Sequence, residues 1–444
     1  MRAPAACKRR AITAPIRFAA PVISTVFPVN SAIGYFSACF VIFIPFNVQL
    51  SPMNISSPLP VPTTEEHELS HKLVQQISKE IQQTTQQTIP FRRFMEMALY
   101  EPQLGYYVAG KHKLGHQGDF TTAPEISPLY SRCIAQQCQP ILTELGNKST
   151  DILEFGAGSG AMAAEILRYL DEQKMLPKQY LILEVSPDLI ARQKQRFSHE
   201  IPNLVKHIQW ITSLPKNFKG VILANEVLDA MPVDLFSIIN NKVYEQHIGF
   251  DGTQLTVHDQ PASNTLAAII DDLSIKPHSN SYTSEINPMI SPWLHAIAES
   301  LTQGIMILID YGYTRQEYYH PDRNIGTLLC YYQHRAHGDF LYYPGLQDIT
   351  ANVDFTAVAE AADKVELTVL SFTSQATFLI ANGLEQHLIQ ALEYEPNKHY
   401  QYAQQVRTLT LPAEMGEHFK VMIVGKKINE GLLSFTGVDS RHKL

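Results

Sequence analysis

Residues 151–161 read Asp151-Ile-Leu-Glu154-Phe-Gly156-Ala-Gly158-Ser-Gly160-Ala161. A short apolar strand, an alternating glycine loop and a helix start follow one another there. Glycine lets a backbone turn tightly and approach a ligand where a Cβ would clash. The next apolar run, Tyr180-Leu-Ile-Leu, ends at Glu184. A carboxylate at that strand end can accept two hydrogen bonds from ribose hydroxyls. The pattern is that of a nucleotide-cofactor loop in an α/β fold.

Working outward, Ile208–Ile211 and Gly220–Ala224 are further strands, and Ser186-Pro187 caps an intervening helix. This alternation predicts a parallel sheet with helices on both faces. Residues 236–300 break the rhythm and read as an insertion. Within it Phe250-Asp-Gly-Thr253 is a hairpin turn and Gln260–Ser284 an exposed polar loop. The apolar run Gly304–Asp310 resumes the sheet, and Val365–Phe372 and Phe419–Gly425 supply its last strands.

On the amino-terminal side, Thr63 and Thr64 before Glu65 and Glu66 mark a helix start. Leu69, Leu73, Ile77 and Ile81 form one stripe along that helix, which reads as packing. Phe91, Phe94, Met95, Ala98 and Leu99 repeat at helical spacing after Pro90. Residues 101–126 form a loop too long for a mere linker. Ser127-Pro128 then caps a helix reaching about Gly146.

The 444 residues carry 35 basic and 43 acidic side chains. Residues 1–64 hold Arg2, Lys8, Arg9, Arg10 and Arg17 and no acid, so the remainder has 30 basic against 43 acidic residues. That balance argues against nonspecific nucleic-acid binding. Three readings compete for residues 1–64: an over-extended start before Met53, a targeting segment, or a membrane anchor. Ala32–Phe46 is too short to span a bilayer, so stable membrane insertion is not expected. Five cysteines make no disulfide framework, and Cys133 with Cys138 lacks the second pair of a zinc site, so no metal is expected. The expected divisions are the 1–64 extension, a helical and lid region at 65–146, a cofactor-binding domain at 147–430 and a tail at 431–444.

Two cofactors fit the glycine loop. Gly156, Gly158 and Ala161 formally satisfy the dinucleotide pattern. Glu154 and the third glycine, Gly160, favour S-adenosylmethionine. A carboxylate suits a cofactor bearing an ammonium and a sulfonium and is misplaced beside a pyrophosphate. A ligand-free glycine turn is the remaining reading. Ser213 and Leu214 follow the third strand, at the adenine position. Asn225, Glu226 and Asp229 follow the fourth, where strand ends form the ligand crevice. Glu226 and Asp229 can alternatively cap a helix. The Asp/Asn-Pro-Pro-aromatic cluster used on exocyclic amines of bases is missing, which weakens a nucleic-acid substrate.

Several of these pieces resemble the MidA-type class I S-adenosylmethionine methyltransferases, which include the mitochondrial complex I assembly-factor arginine methyltransferase. They are Ile89-Pro-Phe91 through Leu104-Gly-Tyr-Tyr107, Gly118-Asp-Phe-Thr-Thr-Ala-Pro-Glu-Ile-Ser127, Glu154–Gly160, Glu184-Val-Ser-Pro187, Asn225–Val233, Asp310-Tyr-Gly312, Gly326–His334 and Gln347–Phe355. The resemblance runs from about residue 70 to 430 and leaves out residues 1–64, which favours an over-extended start. It implies a seven-stranded Rossmann-like sheet whose last strand is antiparallel, with 101–126 as a lid. Asp119, Phe120, Thr122 and Pro124 would lie near the cofactor, with Glu154, Gly156, Ala157, Gly158, Gly160, Glu184, Ser213, Leu214 and Asn225. Bacterial members often have His at the position of Asn352.

The implied reaction is methylation of a protein arginine, on a basic segment of a respiratory complex I subunit. Carboxylates can form bidentate hydrogen bonds to a guanidinium. Glu226, Asp229 and Asp310 are the catalytic candidates, with Asp348 behind them; His334 as a general base is the weaker option. The alternatives are a small-molecule methyltransferase, an assembly factor that uses cofactor-dependent partner recognition, and a dinucleotide oxidoreductase, which Glu154 disfavours. A homodimer is also expected. The expected location is a bacterial cytoplasm, or the mitochondrial matrix if residues 1–64 are a targeting segment.

Overall fold

A computed structural model describes residues 59–109, 122–433 and 439–444. The run opened by Asp151 folds as β1 (Asp151–Phe155), followed by β2 (Tyr180–Leu183), β3 (Ile208–Ile211), β4 (Phe218–Asn225), β5 (Leu301–Tyr313), β6 (Thr368–Ser374) and β7 (Phe419–Lys426). They are ordered β6-β7-β5-β4-β1-β2-β3. β1 to β5 pair in parallel, and β7 runs antiparallel to both β5 and β6. The sheet has eight strands where seven are expected. Val353–Asp354 pairs with Gly312 and Tyr313 at the end of β5. β5 overruns its neighbours, so its last main-chain groups need a partner of their own.

Side-chain alternation builds a core on each face. Ile152, Val221, Leu223, Ile305, Ile307 and Ile309 pack with helices Pro128–Leu145 and Ala161–Glu172 on one face. Leu153, Ile222, Ala224, Met306 and Leu308 pack with helices Ile290–Ser300 and Phe355–Asp363 on the other. Ile290–Ser300, counted with the insertion on sequence, therefore belongs to the main sheet's core. Cys133 and Cys138 are buried on helix Pro128–Leu145, and burial pushes the Cys138 thiol up to about 12.

The inserted segment is not the exposed loop expected for 260–284. It contains the end of strand Leu255–Pro261, helix Asn264–Asp272 and strand Ser281–Ile286. The last was hidden because two of its three buried residues, Ser284 and Glu285, are polar. Ser284 and Glu285 are both fully buried. Glu285 accepts hydrogen bonds from the Thr327 and Leu328 N–H groups and from the Ser284 hydroxyl. The hairpin turn at 251–254 is present, closed by Asp251 N–H to the Gln254 carbonyl.

These two strands join Thr88–Pro90, Asp234–Ile239 and Lys242–Phe250 in a five-stranded antiparallel sheet. Helices Thr64–Gln83 and Phe91–Tyr100 cover it, burying Leu73, Ile77, Ile81, Phe91 and Phe94 against Val233, Leu235 and Ile248. The stripe on 69–81 is packing. Thr63 and Glu66 form a reciprocal capping box at its start. A three-stranded sheet (Leu329–Tyr332, Arg335–His337 and Asp348–Thr350) completes the roof over the main sheet's carboxyl ends. No helix among the described residues is long and apolar enough to cross a membrane.

Candidate active site

Strand order reverses between β1 and β4, and ligands of open α/β sheets bind at such a switch point. A cavity of about 2010 Å³ opens there. Glu154, Gly156, Ala157, Gly158, Glu184, Asn225 and Pro124 all line it. Gly156 and Gly158 take φ of +59° and +53°. A Cβ on Gly156 would meet nothing within 4 Å, so that backbone faces open cavity. The Glu154 carboxylate accepts the Tyr180 hydroxyl at 2.8 Å, and Glu184 accepts the Ser186 N–H at 3.0 Å. Glu154 is pushed up to about 8, chiefly by burial. A cationic cofactor group beside it would offset that cost, so the donor set fits S-adenosylmethionine.

Three expected cofactor contacts are placed elsewhere. Gly160 adopts φ +84° at the start of helix Ala161–Glu172, and a Cβ there would lie 2.8 Å from the Phe197 ring. It is a glycine of turn geometry and close packing, and it does not line the cavity. Ser213 and Leu214 are also outside the cavity wall; Leu214 packs against the core under the sheet. Asp119 and Phe120 lie outside the described residues.

The rest of the cavity wall is acidic and aromatic. Glu226, Asp229 and Asp348 line the cavity with Tyr100, Tyr107, Tyr311 and Tyr331. Glu226 has φ +52°, with its N–H held by the Ile309 carbonyl at 2.9 Å. It receives a hydrogen bond from the Asn225 amide at 3.0 Å. Asp229 Oδ2 accepts the Tyr311 hydroxyl, and Asp348 accepts the Tyr107 hydroxyl at 2.9 Å. No helix follows Asp229, so it caps none.

Asp310 is not a cavity residue. It is fully buried and accepts the N–H groups of Leu228 at 3.0 Å, Asp229 at 3.2 Å and Tyr311 at 2.9 Å. Its role is to hold the Asp229 backbone, so it is a positioning residue. His334 stands beside Gln333 in the turn joining two strands, both at positive φ. It reaches the cavity rim as an exposed turn residue.

Burial pushes Glu226 up to about 8, with Asp229 adding to the shift, and Asp229 up to about 6. These folded values exceed those of free carboxylates, so the favourable neutral form is lost as pH rises through them. The cofactor-free protein is expected to lose thermal stability between about pH 5 and 8. Melting curves at intervals across that range check it; a melting temperature rising from pH 6 to 8 contradicts it.

Sequence reasoning missed Gln193 and Arg196, which stand on helix Pro187–Glu200. The Gln193 amide donates to the Gly158 carbonyl at 2.9 Å and to Glu184 at 3.3 Å, and accepts the Trp210 indole N–H at 2.7 Å. Arg196 donates to Glu125 at 2.9 Å and to Ser159 at 2.7 Å. Neither belongs to a linear motif. Helical spacing from the Ser186 cap, which puts both on the face toward the glycine loop, was the only available signal.

The profile of a family described as S-adenosyl-L-methionine-dependent methyltransferases, Methyltransf_28, matches residues 133–373. A COG1565 superfamily member from Burkholderia thailandensis, solved with S-adenosyl-homocysteine bound, is 36% identical with a TM-score of 0.82, covering 87% of this chain and all of that one. The mitochondrial protein arginine methyltransferase NDUFAF7 homolog of Drosophila melanogaster is 27% identical over 362 residues, 75% of this chain and 80% of its own length. Human mitochondrial protein arginine methyltransferase NDUFAF7 is 26% identical over 366 residues, 74% and 78% respectively. With the glycine loop, Glu154 and Glu184 gathered on one cavity, the chain belongs to this family of S-adenosylmethionine-dependent methyltransferases.

Proposed function

We propose that this methyltransferase acts on an arginine side chain of a protein, in a basic segment of a respiratory complex I subunit. Asp229 carries the reading. It is buried in the cavity wall, Tyr311 binds one carboxylate oxygen, and Oδ1 has no partner among the described residues. A cation with several N–H donors supplies that partner through a charge-assisted bond, stronger than one from a neutral donor. The relatives named as protein arginine methyltransferases support the same substrate class.

Bound S-adenosylmethionine supplies a sulfonium methyl group. The chain's residues hold the acceptor. Glu226 and Asp229 orient the guanidinium and fix one nitrogen in line. The aromatic walls from Tyr100, Tyr107, Tyr311 and Tyr331 shield the acceptor from water. An acceptor nitrogen that has received the methyl group would be more acidic, and Glu226 or Asp229, whose affinity for protons is raised by burial, would take its surplus proton.

The test uses tritiated S-adenosylmethionine and extract from a strain lacking this gene. The expected result is a labelled protein band, with label recovered in methylated arginine. Gly158→Val is expected to abolish the band, because a β-branched residue is strained at φ +53° and would fill cofactor space. Label confined to small molecules overturns the proposal in favour of a small-molecule methyltransferase. Cofactor binding without any labelled acceptor favours the partner-recognition role.

A further inference from the structure

Gln193 is fully buried, and both the oxygen and the nitrogen of its side-chain amide are hydrogen-bonded. Its Oε1 accepts the indole N–H of Trp210, on β3, at 2.7 Å. An indole nitrogen only donates, so the amide oxygen must face Trp210 and the NH₂ group must face the other way. There it donates to the Gly158 carbonyl at 2.9 Å and to Glu184 Oε2 at 3.3 Å. Trp210 is itself packed, its ring 5.9 Å from that of Phe197, which fills the space beside Gly160. The β1–β2 ladder ends with Phe155 opposite Leu183. It fixes the backbones leading to the glycine loop and to Glu184, but not the torsions of the Glu184 side chain. Two donors act on those: the Ser186 N–H on Oε1 at 3.0 Å and Gln193 on Oε2. Glu184 lines the cavity, and each carboxylate oxygen has a second lone pair for a ligand.

We infer that Gln193 is a positioning residue for cofactor recognition: its amide, locked by Trp210, holds the Glu184 carboxylate in the orientation that selects a ligand carrying ribose hydroxyls. The inference rests on Glu184 as the ribose-binding acid and is independent of the acceptor's identity. The last torsion of a glutamate is broad, so external bonds decide where its oxygens point. Two vicinal hydroxyls need both oxygens presented together, and a carboxylate that turns presents one. The same NH₂ group satisfies the Gly158 carbonyl inside the fold. Gln193→Leu strands the Trp210 N–H and the Gly158 carbonyl and releases Glu184. Gln193→Glu keeps the size and can keep the Trp210 bond, but it turns an acceptor toward Glu184 and the Gly158 carbonyl.

Calorimetry on the full-length protein tests this, with S-adenosyl-homocysteine and its 2′,3′-dideoxy analogue as probes. The wild type is expected to prefer S-adenosyl-homocysteine about a hundredfold, and Gln193→Leu and Gln193→Glu to cut that preference below about tenfold. Trp210→Phe keeps Gln193 but frees its amide, and an intermediate preference is expected. A merely structural role weakens both ligands alike, so an unchanged preference in the variants overturns the inference. Where Gln193→Leu does not fold, Gln193→Glu and Trp210→Phe carry the same comparison. Glu184→Gln tests the underlying reading separately. If it leaves the wild-type preference intact, Glu184 is not the ribose acid, and the inference falls with it.

Discussion

Asp229→Asn is expected to lower kcat/KM toward the arginyl acceptor by about a hundredfold. The substitution keeps size and the Tyr311 contact but removes the charge that faces a cation in a buried wall. Truncating one partner of a buried charged pair removes the attraction and strands the other charge, which is why the expected loss is large. The same change should not weaken the folded protein. Asp229 is only 5% exposed, and burial pushes its carboxyl up to about 6, so above that pH the cofactor-free enzyme carries a poorly solvated charge. The combined outcome is lower activity with equal or higher melting temperature at pH 8. Steady-state kinetics and melting curves on one preparation check both. Unchanged kcat/KM removes Asp229 from the acceptor site; a large fall in melting temperature marks it as structural.

Gly304→Ala is expected to destabilise the fold by about 4 kcal/mol, or to prevent soluble expression. Gly304 and Gly220 lie opposite each other on β5 and β4, and Gly220 lies opposite Asp151 on β1. Their φ values are +146° and +150°. A Cβ on Gly304 would lie 1.9 Å from the Gly220 carbonyl oxygen, and one on Gly220 would lie 1.9 Å from that of Asp151. Both obstacles are backbone in the centre of the sheet, so no side chain can swing aside. Gly338→Ala is the control, since a Cβ there meets nothing within 4 Å. Urea unfolding monitored by fluorescence separates them. Equal midpoints would overturn the steric account of the central strands.

The central strands and the cofactor loop were legible because their determinants are contiguous. An apolar run of four or five residues, glycines at alternate positions and a capped helix make one strand–loop–helix unit within about twenty residues. The strand-end acids were legible for the same reason: a parallel strand delivers its last residue to the crevice whatever the rest of the chain does. Glu154, Glu184, Asn225, Glu226 and Asp229 all reach the cavity. The strand Ser281–Ile286 was not legible, because its burial is satisfied by hydrogen bonds to residues some forty positions away.

Asp310 and Gly160 mark the same boundary inside the site. Both belong to the right segments, yet Asp310 turns inward to three N–H groups and Gly160 yields its space to Phe197. Sequence places a residue at a strand end or in a loop; it does not reveal which neighbour already occupies the volume beside it. Arg196, Gln193, Tyr107 and Asp348 join the site only through bonds between distant elements. The sequence by itself therefore determined the sheet's central strands, the cofactor chemistry and the acid-rich crevice, because period, glycine geometry and local charge act over short spans. The tertiary structure alone decided which acids face the cavity and which serve the backbone. Those outcomes depend on packing and hydrogen bonds across long separations in the chain, which local pattern does not encode.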